Sequence, residues 1–150
     1  MKNLVLVILF SSITVFTQPE EKMLNVAIFI YDRVEILDFA GPGEVFAVSV
    51  KDGKNLFNVY TVAAEPDPVL SQGFVKITPE YTLENCPTPD IVVLPGGDQR
   101  KSAENPEVIN WIKKTAENAD VMMSVCTGAK LLSKAGLLDN KEATTWYGAI

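Results

Sequence analysis

The 150-residue chain contains no histidine. That absence removes the Ser-His-Asp triad, the Cys-His dyad and every His-ligated metal centre from this chain's repertoire. Only two cysteines are present, Cys86 and Cys126. They are too few for a Cys-built zinc site or a disulfide framework, and no metal or cofactor is implied. General acid or base work therefore falls to Asp, Glu, Lys, Tyr or water. Positive charge is scarce too: 13 Lys and Arg stand against 19 Asp and Glu, a formal net charge of −6 with no basic cluster to offset it. A nucleic-acid partner needs a basic face, so none is expected, and a small-molecule substrate or a protein partner fits better.

Long apolar runs are also lacking, except at the N-terminus. Met1-Lys2-Asn3 is a short positive start, Leu4 to Phe16 is mostly apolar, and Thr17 to Lys22 is polar. This run is shorter than the ~20 residues of a membrane-spanning helix. Its layout is that of a signal peptide over residues 1–17, implying export to the periplasm or the exterior, with no stable membrane span once the leader is cleaved. Phe16-Thr17-Gln18 lacks a small-x-small cleavage pattern, and an uncleaved anchor or a core strand are the other readings of the segment.

The remainder is long enough for one domain with a substantial core. Asn25 to Tyr31 is a nearly continuous apolar run, as expected of a parallel strand buried on both faces. Gly41-Pro42-Gly43 leads into Glu44 to Val50, and Pro42 or Gly43 is suited to start a helix there. Leu56 to Ala64 reads as a second strand, and Val69 to Thr78, broken by Gly73, as a hairpin or edge excursion. Ile91 to Leu94 is another buried strand. Asn105-Pro106 combines a cap with Pro at the first turn, and Val108, Ile109, Ile112 and Ala116 then share one helical face. Val121 to Val125 is the next strand, followed by a helix over Thr127 to Ala135 that Gly136 stops. Ala143 to Thr145 reads as a further short strand. Strands alternating with helices imply an α/β fold, a mostly parallel sheet with helices on both sides.

Three segments carry chemistry. In Ser124-Val125-Cys126-Thr127-Gly128-Ala129, a buried strand runs into a nucleophile-type residue and then a helix, the arrangement of a nucleophile elbow. Such a turn pushes the side chain out at the carboxyl end of the sheet, the helix N-terminus favours a thiolate, and the following amides can bind an oxyanion. A lone Cys in an apolar strand is more often inert, but a place between strand and helix favours function. Leu94-Pro95-Gly96-Gly97-Asp98 puts paired glycines at another strand's carboxyl end, where backbone amides approach ligands, although an ordinary glycine turn has the same pattern. Asp38, flanked by Leu37 and Phe39, lies after the first strand; it is either a shielded acid or a helix cap, and Glu44 is a second candidate carboxylate. Cys86 precedes the strand at Ile91 whereas Cys126 follows the strand at Val121, so the two fall at opposite ends of a parallel sheet. At ~3.3 Å per residue they lie beyond the ~7 Å reach of a disulfide.

Taken in order, Asp38-Phe39-Ala40-Gly41-Pro42 with Glu44-Val45-Phe46, Val92-Val93-Leu94-Pro95-Gly96-Gly97, Ser124-Val125-Cys126-Thr127-Gly128-Ala129, Ala135-Gly136-Leu137-Leu138-Asp139 and Ala143-Thr144-Thr145 resemble the DJ-1/PfpI family of the class I glutamine amidotransferase-like superfamily. The similarity runs over residues 24–150 and points to the branch of isonitrile hydratases and AraC-type regulator sensing domains. It implies a flavodoxin-like three-layer sandwich, here incomplete at the C-terminus, and a homodimer. It also implies Cys126 as nucleophile, Asp38 as its acid partner, the amides of Gly97 and Thr127 as an oxyanion site, and Gly96 and Glu44 as substrate-binding neighbours. The expected activity is cysteine-dependent chemistry on a small electrophile, such as isonitrile hydration to an N-substituted formamide. Glyoxalase- or deglycase-like activity and non-catalytic ligand sensing are the alternatives. Where many members carry His after the Ala-Thr-Thr segment, this chain has Trp146-Tyr147, which argues against protease-like chemistry.

Overall fold

Leu24–Phe29 forms the central strand, β1, and its side chains from Val26 onward are buried on both faces of the sheet. That double burial is why the segment shows no polar alternation. The structure, a computed structural model, describes residues 22–149; the leader read at residues 1–17 lies outside them. Helix α1 (Ile36–Ala47) follows, then a small antiparallel pair, β2 (Val50–Lys51) with β3 (Lys54–Asn55), and strand β4 (Phe57–Ala63). An antiparallel hairpin of β5 (Val69–Ser71) and β6 (Val75–Ile77) precedes the short β7 (Tyr81–Thr82). Strand β8 (Ile91–Leu94), helices α2 (Arg100–Glu104) and α3 (Pro106–Ala116), strand β9 (Val121–Ser124) and helix α4 (Ala129–Lys134) complete the series, with a 3-10 turn at Cys126–Gly128. Among the described residues no helix is long and apolar enough to cross a membrane.

The main sheet has five strands in the order β7-β4-β1-β8-β9, all parallel. The chain moves one way from β1 to β4 and the other way from β8 to β9. Right-handed crossovers therefore put α1 and α3 on opposite faces, which makes a flavodoxin-like three-layer α/β fold. Neighbouring residues of β1 report both layers. A Cβ placed on Gly43 of α1 would lie 3.1 Å from Ile28 Cδ1, whereas Phe29 turns the other way onto Trp111 of α3, with ring centroids 6.0 Å apart. Helix α3 starts as its sequence dictates: the Asn105 side chain accepts from the Glu107 amide at 2.9 Å, Pro106 takes the first turn, and Val108 and Ile112 are buried. Gly136 stops α4 with φ 74°. Its amide bonds to Ser133 O at 2.9 Å, and the Leu137 amide to Leu132 O at 3.0 Å.

Three expected elements differ. Helix α1 begins at Ile36 rather than at Pro42 or Gly43, so Pro42 is inside it, and it ends at Ala47 instead of Val50. The residues after it form the β2–β3 pair because Asp52 and Gly53, at φ 50° and 75°, make the two-residue turn that joins tight hairpins. Thr127 to Ala135 opens as the 3-10 turn and becomes α-helical only from Ala129. Ala143 to Thr145 is not a strand; the segment pairs with no strand among the described residues and instead hangs by the Thr145 hydroxyl on the Cys126 carbonyl.

Candidate functional site

The turn after β9 places Cys126 at φ 52°, a left-handed conformation that costs a non-glycine residue ~1–2 kcal/mol. The surroundings hold it there. The Val125 amide donates to Leu94 O at 3.0 Å, the Gly128 amide to Val125 O at 2.9 Å, and the Thr145 hydroxyl to Cys126 O at 2.8 Å. Gly128 sits directly on the Leu94 carbonyl, where any Cβ would collide, and this contact lets the helix start tight against the end of β8. The resulting elbow leaves Cys126 exposed with a free thiol. Cys86 is also free and only partly buried, packed against the cluster of Ala27, Tyr60 and Val62.

Pro95-Gly96-Gly97 threads between the elbow and the start of α1. The Gly96 amide donates to Asp38 Oδ2 at 3.0 Å. A Cβ on Gly96 would lie 2.6 Å from that oxygen, 2.9 Å from Cys126 Cβ and 2.9 Å from the Thr127 nitrogen, so all three crowd one point that only glycine leaves open. Gly97, at φ 133°, presses against the backbone of Arg33, Val34 and Glu35; the Glu35 amide donates to Gly96 O at 2.9 Å and the Asp98 amide to Arg33 O at 3.2 Å. Asp38 lies in the first turn of α1 and is no N-cap, since Glu35 holds that position. Pro42 has no N–H to give to the Asp38 carbonyl four residues back, the acceptor a continuous helix would satisfy.

Cys126, Gly97 and Thr127 line one cavity of about 810 Å³, whereas Asp38 and the buried Gly96 are not part of that lining. Two expectations change here. The Gly97 amide donates to Thr127 Oγ1 at 3.1 Å, so it is occupied within the protein rather than presented to an oxyanion. Glu44 does not join the cluster: it is exposed on α1, and six residues after Asp38 it lies about 240° around the helix and ~9 Å along it.

Other residues enter that the motifs did not reveal. Tyr31 is buried, its hydroxyl donates to Pro95 O at 2.9 Å, and burial pushes its ionisation well above the usual range, with the charges of Asp38 and Cys126 adding to the effect. Gln99 is buried and donates through Nε2 to Thr127 O at 2.9 Å, and its Oε1 lies 3.3 Å from the Thr127 hydroxyl. Arg100 holds Asp98 through two bonds of 2.7 and 2.6 Å, with Arg33 3.7 Å away, and these guanidinium groups keep the carboxyl down at about 2. Trp146, half-exposed and 4.9 Å from the Tyr147 ring centroid, forms a further wall of the cavity. Among the described residues no group of three Cys, Asp or Glu side chains is arranged to hold a metal ion.

The sequence profile of the DJ-1/PfpI family matches residues 24–150. Isonitrile hydratase of Pseudomonas putida is 34% identical over 125 residues, covering 83% of this chain and 53% of that enzyme. The HTH-type transcriptional regulator CdhR of Pseudomonas aeruginosa is 25% identical over 115 residues, covering 77% of this chain and 34% of the regulator. A solved ThiJ/PfpI family protein from Pseudomonas syringae superposes with a TM-score of 0.71 at 25% identity, over 84% of this chain and 55% of that one. The chain thus spans about half the length of the hydratase and about a third of the regulator.

Proposed function

The chain belongs to the DJ-1/PfpI family, and from that premise we propose that it is a cysteine-dependent enzyme acting on a small electrophile, with hydration of an isonitrile to an N-substituted formamide as its reaction. The observation that carries this reading is the exposed Cys126 thiol on a left-handed elbow, facing a cavity and separated from the Asp38 carboxylate by one glycine. In the proposed route the proton of the Cys126 thiol is relayed to the Asp38 carboxylate as the sulfur bonds to the terminal isonitrile carbon, and Asp38 delivers that proton to the same carbon, giving a thioimidate. Asp38, again a carboxylate, takes a proton from water as the water oxygen adds to the carbon, and passes it to the nitrogen. Collapse breaks the carbon–sulfur bond, the hydroxyl proton returns to the sulfur and the formamide leaves, so water is the only co-reactant. With the Gly97 amide engaged by Thr127, the backbone donor in this scheme is the Thr127 amide, whose nitrogen borders the same point as Cys126 and Asp38.

Incubation with an alkyl isonitrile, with formamide followed by NMR, tests the reading. Turnover is expected, and is expected to vanish in Cys126→Ala and Asp38→Asn. The carboxamide in the second variant keeps an oxygen to accept from the Gly96 amide, so that variant separates proton transfer from positioning. Saturable binding without turnover favours a ligand-sensing domain instead, a second reading supported by the match to the regulator CdhR over 77% of this chain. The apolar Leu37, Val45 and Val48, all exposed along α1, support homodimerisation as part of the same proposal, and light scattering measures it. The leader-like residues 1–17 support export, which fractionation of expressing cells tests.

A further inference from the structure

Cys126, Lys130 and Lys134 follow one another at intervals of four residues, and all three line the same cavity. Residues four apart on a helix lie above one another, about 6 Å apart along the axis. Lys130 and Lys134 therefore stand one turn apart on α4, the helix into which the Cys126 turn leads.

Most of the other charges of the cavity are already committed. Asp98 is held by Arg100 at 2.6 Å and flanked by Arg33 at 3.7 Å. Glu35 accepts from the Gln72 amide, and Glu104 acts on Arg100. Lys130 and Lys134, in contrast, belong to no ion pair among the described residues. A chain of formal net charge −6 thus turns two uncommitted cations toward its most exposed thiol. The indole of Trp146 supplies an apolar wall beside them.

We propose that this cavity selects substrates carrying an anionic group, a carboxylate or a phosphate, which Lys130 and Lys134 hold while the reacting carbon lies at Cys126. Lys130 and Lys134 place the anion on the α4 wall of the cavity, beyond the elbow that carries the reacting atom. The inference rests on the proposed reactivity of Cys126 and adds the class of molecule that reaches it.

The test compares alkylation of Cys126 by iodoacetate and by iodoacetamide in a Cys86→Ser background, with 2-mercaptoethanol as the reference thiol. Both reagents consume the same thiolate, so their rate ratio reports the field at the site. At low salt the iodoacetate-to-iodoacetamide ratio is expected to exceed that of the reference roughly three- to tenfold. It is expected to shrink as salt shortens the screening length and to fall to the reference value in Lys130→Gln/Lys134→Gln. A ratio equal to the reference, or one unchanged in the double variant, overturns the inference and leaves the nucleophile standing. Failure of Cys126 to react with either reagent overturns both this inference and the proposed role of the thiol.

Discussion

The Gly96 amide donates to Asp38 Oδ2 at 3.0 Å, and this one bond ties the first turn of α1 to the loop that closes β8. The same glycine borders Cys126 Cβ. Acid and thiol are therefore held in mutual register by backbone rather than by a direct side-chain contact.

Gly96→Ala puts a methyl group into the space shared by Asp38, Cys126 and the Thr127 amide. The fold is expected to survive with a loss of about 1–3 kcal/mol, read by urea unfolding. Turnover is expected to fall on the order of 10²-fold, since a displacement of ~1 Å at a reacting centre costs that much.

Tyr31→Phe removes the hydroxyl that satisfies the buried Pro95 carbonyl. The expected destabilisation is ~1–3 kcal/mol, because the acceptor is left without its partner. The wild-type phenol also carries a pH signature. Its folded-state ionisation is raised, so its contribution is complete below the ordinary tyrosine value of ~10 and is lost as pH climbs through the higher folded value. Tyr60, likewise buried, behaves in the same direction. Tyrosinate absorbance is expected to show these two phenols ionising only together with alkaline unfolding.

Asp98 sets the acid side. Its carboxyl is held down at about 2, so its contribution is present above the unfolded value of ~3.9 and is lost as pH falls from there to about 2. Asp98→Asn is expected to flatten the acid limb of the stability curve in that window and to lower stability near pH 7 by the same small amount, small because its pair with Arg100 lies at the surface and is screened. Urea titrations at pH 7, 4 and 2 measure both parts.

Gly128→Ala drives a Cβ into the Leu94 carbonyl. The elbow must then move off β8, and a loss of ~1–3 kcal/mol in urea unfolding is expected, together with a changed alkylation rate at Cys126.

Much of this is legible in the sequence wherever burial leaves a simple mark. The unbroken apolar runs of β1 and β8 announce strands covered on both faces, and Asn105-Pro106 announces the start of α3. Helix α1 is harder to read because Gly41, Pro42 and Gly43 are local breakers; packing of α1 on Ile28 and edge-on contact of Phe46 with Phe57 at 4.9 Å override them. Cys126, Asp38 and the glycine pair stand out because their residue types are chemically distinctive at strand ends. Tyr31 and Gln99 do not, because an aromatic at the end of an apolar run and an amide after a turn look ordinary until the loops fold together. The engagement of Gly97 by Thr127 is equally hidden, since it joins residues 30 positions apart.

The distance along the chain between the site's parts has a consequence for its biosynthesis. Asp38 and Gly96 are separated by 58 positions, and Gly97 and Thr127 by a further 30. As the polypeptide leaves the ribosome, the acid emerges first, the glycine loop next and the sulfur last. The Cys126 sulfur thus emerges after the acid and the glycine loop it will border, and the contacts that bring the three together close only once it is outside the ribosome.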